Sequence, residues 1–529
     1  MTSTLTGTRP LLRVALRLDV RNIAPWVVLI SALSATSVLA YTWIFPTAAE
    51  RQELAATLGA NPALALVFGP ARDLMTADGF NAWRAGQLGA LLAGIMAILT
   101  VVRNSREHED SGQAELIASG VTGRHSRLMV AVLLAVAASV AVGVVCFLLT
   151  IACGGGAVAT LTLAATFSAS GLIFGAVAAV TAQLGSDART SSSLAIATLA
   201  VCFALRGYLD AGDAPAWTVW LTPLGWLERT DPGGANNGWP LLAALALYGA
   251  LVTAAFALQS RRDFGQGLVP PRPGPETGGV VTSVWGLAVR LHRAMIVSWL
   301  IGLAALGALV GSLTGSLGTL FTANPEMARV IVSGGSGATD LTMAFVATIL
   351  QIVAIVASIM GVQVVMRIHA DEVALRTEPL YATAIRRWVY LASNVVVALL
   401  GTAIGMTLAG LALGLVAARS TDLSVATVLG QAVATTPGVW VLVALAVAAV
   451  GAAPRIRLVG WLGLVATFAL TLLGPTFRLP DWALDVSPLR HVPTVDAAAP
   501  HWSGLGWLLL VAAALLVVGF AGYRRRDIG

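Results

Sequence analysis

Twelve apolar runs divide this 529-residue chain, and they leave few folds open to it. A run of about 20 apolar residues is what an α-helix needs to cross the hydrocarbon core of a bilayer. In that medium every backbone N–H and C=O must pair internally, so only helices or closed barrels survive. The runs are Ile23–Phe45, Ala85–Val102, Leu128–Ala152, Val158–Ala182, Ser193–Leu209 and Pro240–Leu258, then Ala294–Leu317, Leu341–Met366, Val389–Ala417, Val425–Val450, Leu458–Leu473 and Leu505–Tyr523. Charged residues make up 11% of the chain and hydrophobic ones 57%, whereas a soluble domain carries about a quarter charged residues. The expected fold is an all-α polytopic membrane protein of twelve transmembrane helices. The first run is too long for the core of a signal peptide, and its arginine-bearing lead is too extended, so it is read as a retained span.

The chain repeats itself. Ala60-Asn61-Pro62 recurs as Ala323-Asn324-Pro325, and Thr222-Pro223-Leu224 as Ser487-Pro488-Leu489. Arg261-Arg262-Asp263-Phe264-Gly265 recurs as Arg525-Arg526-Asp527-Ile528-Gly529. A charged island between the second and third runs, RNSREHEDSGQAELIASGVTGRHSR from Arg103, recurs as RIHADEVALRTEPLYATAIRRW from Arg367. In the island Glu109 and Glu115 stand six apart and Arg124 follows nine later; Glu372, Glu378 and Arg387 keep the same spacing. The offsets are 263, 265, 264 and 263, one register kept over the whole chain, which marks an internal duplication. Six runs per half is an even number, so both halves insert the same way up, as parallel repeats about an axis along the membrane normal. The expected division is residues 1–260 as a first six-helix half with an N-terminal interfacial helix, 261–282 as a Pro/Gly-rich linker, and 283–529 as the second half.

All basic residues except histidine are arginine. With the N-terminus inside, alternate loops hold 23 of the 32 arginines, which predicts that both termini face the cytoplasm of a cell-membrane protein. The net charge of +6 therefore reports topology and gives no reason to expect a nucleic-acid partner. Arg9, Arg13, Arg17 and Arg21, spaced by four, suit a helix lying in the interface before the first span. Cys146, Cys153 and Cys202 lie in or beside apolar runs and read as small core residues. The six histidines lack metal-ligand spacing.

Absent chemistry is informative here. A phosphate-binding P-loop needs a lysine, and the chain has none. No Asp or Glu lies within the apolar runs, which leaves an ion-coupled transporter little to carry its coupling ion. Gln351 and Gln363 do fall within a run, where packing between helices is their ordinary use. What remains is a membrane machine without an engine, carrying two related polar elements on one face. Residues 113–118 are expected to form a short helix stopped by Gly120, with Glu115 and Arg124 displayed around it. Such an element suits docking of a separate motor, although solvation of a loop is the plainer use of such charges.

The repeated E-x5-E island with its arginine, the S/T-P-L corner and the RRDFGQGLVPPRPGP tail of the first half resemble actinobacterial ABC exporter permeases of the tetronasin-type "exporter of polyketide antibiotics" family. The resemblance covers essentially the whole chain. It implies a non-catalytic permease that works with two copies of a separate ATPase, which binds the ATP and magnesium, and expels hydrophobic or amphiphilic compounds such as antibiotics. It also assigns Glu109, Glu115 and Arg124 to one coupling loop, and Glu372, Glu378 and Arg387 to its counterpart. The second copy departs from the first, with Pro379 for Leu116 and Arg386 for Gly123. An ion-coupled multidrug transporter and a membrane scaffold for envelope lipid or polymer export are the alternative readings.

Overall fold

The computed structural model describes residues 4–526 apart from 60–61, 114, 116–119, 121, 212–214, 264, 270–282, 324–340, 473–479 and 496–501. The described residues form helices joined by turns, and they divide into two compact units, Met1–Pro273 and Gly274–Gly529. Among the described residues, eleven helices are long and apolar enough to cross a membrane, which makes this a multi-pass membrane protein.

In the first unit α1 (Thr8–Ile44) is followed by two shorter helices, α2 (Ala48–Gly59) and α3 (Pro62–Phe68). Then come α4 (Ala77–Asp110), α5 (Ser126–Ala152), α6 (Ala157–Leu184), α7 (Ala188–Ala211), the short α8 (Pro223–Glu228) and α9 (Trp239–Arg261). The arginine-bearing residues 9–21 are not a separate interfacial helix; they are the first turns of α1, which runs on for 37 residues through Pro25. Within this unit α1 packs on α4 and α5, α4 on α6, α5 on α6, and α6 on α9.

The second unit contains α10 (Val284–Ala323), α11 (Leu341–Val373), a single turn α12 (Glu378–Tyr381), α13 (Arg387–Ala417), α14 (Val425–Ala452), α15 (Val459–Leu472) and α16 (Ser503–Arg525). Here α10 packs on α11 and α13, α11 on α14, α13 on α14, and α14 on α16. These are the same ordinal pairs as in the first unit. Of the run expected at Leu458–Leu473, the described part is the 14-residue α15, and residues 473–479 lie outside the described part. Ser193–Leu209 is a full-length helix in spite of Arg206. The Asn-Pro pair of each half touches undescribed positions, 60–61 and 324–325, and most of the short helix expected at 113–118 does so too.

Burial picks out the same innermost and outermost helices in both units. In the apolar stretches of α4 and α6, and of α11 and α14, 67% and 72% of residues are buried, against 11% for α9 and 17% for α16. Thus α4 and α6 form the inside of the first unit and α11 and α14 that of the second, with α9 and α16 at the rims. Without a water-driven hydrophobic force between helices, close backbone approach does the work. A β-carbon on Gly307 would collide with the Ala409 carbonyl of α13, and one on Gly451 with the Gly519 carbonyl of α16. Polar side chains add specific ties: Asn81 Nδ2 donates to Ser34 Oγ at 3.0 Å, and Trp299 Nε1 to Gln363 Oε1 at 3.0 Å. Gln351 Nε2 donates to the Leu489 carbonyl at 3.3 Å, so both intramembrane glutamines serve packing.

The repeated S/T-P-L corner has a local cause. Thr222 caps α8 by accepting from Gly225 N at 3.1 Å, and Pro223 occupies the first turn, where no N–H is needed. Its Leu224 is fully buried, as is Leu489 in the second copy. Trp220 stacks on Trp239 with ring centroids 4.8 Å apart, and Trp217 and Trp239 are exposed, the amphipathic placement expected of an interfacial belt.

Candidate functional site

The charged island lies where α4 runs past its apolar stretch. Between Arg103 and Glu107 the helix widens into a π turn before a last α turn to Asp110. Such an insertion changes which side chains face inward, and it recurs at functional sites. Its consequence is that Arg106 is fully buried and Glu109 stands beside it.

Glu109 is the centre of a four-residue ion cluster. Arg262, just past the end of α9, grips it with two prongs: Nη2 to Oε1 at 2.7 Å and Nη1 to Oε2 at 3.0 Å. Arg106 Nη1 donates to Oε2 at 2.8 Å and Arg127 Nη2 approaches Oε1 at 3.4 Å. Three guanidinium groups on one carboxylate leave an excess of positive charge, which nearby oxygens absorb. Arg106 Nε donates to the Ala182 carbonyl at 2.6 Å and its Nη2 to the Gln266 carbonyl at 3.0 Å, while Arg262 Nε donates to Gln183 Oε1 at 2.7 Å. Ala182 lies in the last turn of α6, whose free carbonyls carry partial negative charge. Asp110 accepts from Ala188 N at 2.7 Å, at the start of α7. The beginning of the expected linker is held here as well, since Leu268 N and Val269 N donate to the carbonyls of Gln183 and Leu184, each at 3.0 Å.

Arg124 serves the same junction from the other side. Its guanidinium is exposed and donates to the Ser260 carbonyl at 2.8 Å, capping the last turn of α9. His125 Nδ1 lies 2.8 Å from Gln259 Oε1. The N-terminal residues run alongside, with Gly123 N donating to Thr6 O at 2.8 Å and His125 N to Thr4 O at 3.0 Å. A β-carbon on Gly123 would collide with the Thr4 carbonyl, so the first copy needs glycine where the second has Arg386.

The second unit repeats the plan with fewer parts. Glu372, in the last turn of α11, takes Arg526 on both carboxylate oxygens, with 2.7 Å to Oε1. His369 Nδ1 lies 3.7 Å from the same carboxylate. Arg387 Nη1 donates to the Arg526 carbonyl at 3.3 Å, capping α16 as Arg124 caps α9. Tyr381 OH lies 2.6 Å from Tyr523 OH, and burial pushes the Tyr381 phenol above its ordinary value against the opposing effect of that hydrogen bond. Pro379 opens the α12 turn at a position where it fits. Chain reversal after the carboxylate uses a left-handed residue in both copies: Gly112 at φ 75° and Leu375 at φ 57°.

The six residues singled out from the sequence therefore fall into three kinds. Glu109 and Glu372 are buried and gripped by arginine. Arg124 caps α9 and Arg387 caps α16. Glu115 and Glu378 are exposed. Sequence reading missed Arg106, Arg127, Arg262, Arg526 and Gln183. A signal for the two grips was present, since the Arg-Arg-Asp repeat has offset 264 and the glutamate repeat 263, two repeated elements of opposite charge in one register.

Residues 281–524 match the family described as "Multidrug efflux system permease Rv1217c, C-terminal domain". Over 530 aligned positions the chain is 37% identical to the multidrug efflux system permease protein Rv1217c of Mycobacterium tuberculosis (strain ATCC 25618 / H37Rv), covering 99% of this chain and 95% of the relative. A match of that depth along the whole length, on a helical multi-pass scaffold, means that the chain belongs to the family of the multidrug efflux system permease Rv1217c.

Proposed function

We propose that this chain is the membrane-spanning permease of an ATP-driven efflux system, expelling hydrophobic and amphiphilic compounds and energised by a separate ATPase. Efflux follows from the full-length kinship with a multidrug efflux permease. The observation that carries the coupling reading is the junction built once in each unit. In each, the end of the second span, the start of the third and the end of the sixth are tied by a Glu–Arg grip and an arginine cap. Force applied at Glu115 or Glu378, exposed beside these junctions, would reach an inner span and a rim span together. The matching helix pairs in the two units favour twelve spans in two parallel halves, with the junctions and both termini cytoplasmic. One chain would then offer two docking faces, and the tetronasin-type exporters are the subgroup its motifs fit best.

Two measurements test this. The mass of the purified complex should correspond to one permease with two ATPase subunits; two permeases per two ATPases would remove the fused-dimer reading. Glu115→Arg should weaken ATPase pull-down and drug efflux at unchanged expression, and Glu378→Arg should do so on the second face. Wild-type docking and efflux in both variants would reduce the island to a solvated loop. Ion-coupled transport is the second reading, and Glu228, whose carboxyl burial pushes up to about 8, is the group that favours it. Efflux that survives ATP depletion and stops with a protonophore would select it.

A further inference from the structure

At the end of α4 opposite the island, the first unit has a half-open chamber of about 60 Å³, lined among others by Phe68, Trp83, Gln87, Leu163, Glu228 and Asp231. Its walls are apolar and aromatic, with the rings of Phe68 and Trp83 5.0 Å apart. Its polar groups are mostly committed. Arg72 Nη2 donates to Glu228 Oε1 at 2.6 Å and its Nη1 approaches Asp231 at 3.4 Å. Arg206, fully buried, donates to Asp210 at 2.9 Å and to the Leu66 carbonyl at 3.0 Å. Asp73 is engaged with Thr76 Oγ1 at 2.8 Å.

Two acceptors remain over. Gln87 Oε1 and, once Glu228 is ionised, its Oε2 are buried and find no donor among the described residues, whereas protonated Glu228 is hydrogen-bonded to Asp210. Both belong to residues that line the chamber. Counting Arg72 and Arg206 against Asp210, Glu228 and Asp231, the carboxylates outnumber the cations when all are ionised. Spare acceptors, an acidic surplus and aromatic faces together match a cation that carries N–H donors and an apolar body.

We propose that this chamber is a subsite for the primary ammonium group of amphiphilic substrates, held by Gln87 Oε1 and the Glu228 carboxylate with the aromatic walls against the adjoining methylenes. This deepens the efflux reading and rests on it. The repeat-equivalent positions of the second unit do not reproduce the site. By the repeat offsets, Leu350 stands where Gln87 does and Pro493 where Glu228 does, so the second unit lacks both acceptors. Burial, then the neighbouring Asp210, raise the Glu228 carboxyl to about 8 against the opposing pull of Arg72 and Arg206, so at pH 7 an arriving ammonium must displace a proton.

The test uses the purified full chain in nanodiscs and dansylcadaverine, a fluorescent primary amine, with its N-acetylated neutral form as control. If only the ionised carboxylate binds, apparent affinity scales with its ionised fraction and should rise about tenfold from pH 7 to pH 9. Glu228→Gln should abolish that rise and weaken binding about tenfold at pH 9. Gln87→Met, which leaves the Arg72–Glu228 pair intact, should weaken binding severalfold and keep the pH dependence. Acetylation of the amine should remove the effects of both substitutions. The proposal is overturned if the acetylated probe binds as tightly as the amine, if both variants bind like wild type, or if sodium displaces the probe as well as methylammonium does. Binding is read without the ATPase, so such a failure would leave the docking test at Glu115 and Glu378 untouched.

Discussion

Replacing Glu109 by glutamine removes one charge, keeps the shape, and leaves three guanidinium groups facing a neutral amide. The side chain is 5% exposed, and Arg106 and Arg262 are 0% and 7% exposed, so solvent cannot take over the lost neutralisation. Removing one partner from a buried ion pair costs about 3–5 kcal/mol, because the remaining charge stays buried. Arg127, 17% exposed and at 3.4 Å, adds little. The expected destabilisation of the first unit is therefore about 3–5 kcal/mol. Glu372→Gln strands a single guanidinium, that of Arg526 at 15% exposure, and should cost roughly 2 kcal/mol, near a charged hydrogen bond's share. Thermal unfolding in detergent would rank the two variants. A double-mutant cycle of Glu109→Gln with Arg262→Gln should show coupling of roughly 1–3 kcal/mol. Because the cluster is buried, raising the salt should change neither result much. Additive effects in the cycle, or a Glu109 variant no worse than the Glu372 one, would refute the idea that this carboxylate holds α4 to the end of α9.

Leu375 sits at φ 57°, a region that costs an ordinary residue about 1–2 kcal/mol, so Leu375→Gly should stabilise the second unit by up to about 1 kcal/mol after its greater unfolded-state entropy is subtracted. The reciprocal Gly112→Leu should destabilise the first unit, and melting curves of the two variants should move in opposite directions. Gly123→Arg, which installs the second copy's residue, should detach the N-terminal residues from the island, seen as faster exchange of the His125 amide that donates to Thr4, with little change in the spans. For Glu228 the sign is set by a folded pKa of about 8 against an ordinary carboxyl value of 4.5. The folded state binds the extra proton in between, so stability is fully present below the lower value and is lost as pH rises through the upper one. Arg72, Arg206, Asp210 and Asp231 surround this carboxyl, and Glu228→Gln should flatten the fall in melting temperature between those two values.

Much of the junction was visible as pattern and invisible as contact. Glu109 and Glu372 stand out because they recur in register, and the family resemblance assigns them to the coupling loops without saying which way they face. In the folded chain they face inward, and only Glu115 and Glu378 of the four acids are exposed. A hydrophilic stretch reports its average exposure, whereas a single π turn decides which of its side chains turns in. Arg206 shows the same limit. It is a charge within an apolar run, yet Asp210 one turn on and the Leu66 carbonyl let the helix keep it buried.

The spans and the doubled pattern were determined by the sequence alone, because hydropathy and register are properties of residues in line. A stretch of 20 apolar residues has one stable solution in lipid, and a kept offset needs no coordinates to be seen. Only the tertiary structure decided who meets whom across long separations. Arg262 reaches Glu109 over 153 residues, and Arg526 reaches Glu372 over 154. It also decided that α4, α6, α11 and α14 lie inside while α9 and α16 form the rim. All of these helices are apolar on every side, so hydropathy cannot rank them. Their order comes instead from where glycine lets backbones approach and where an arginine finds its carboxylate.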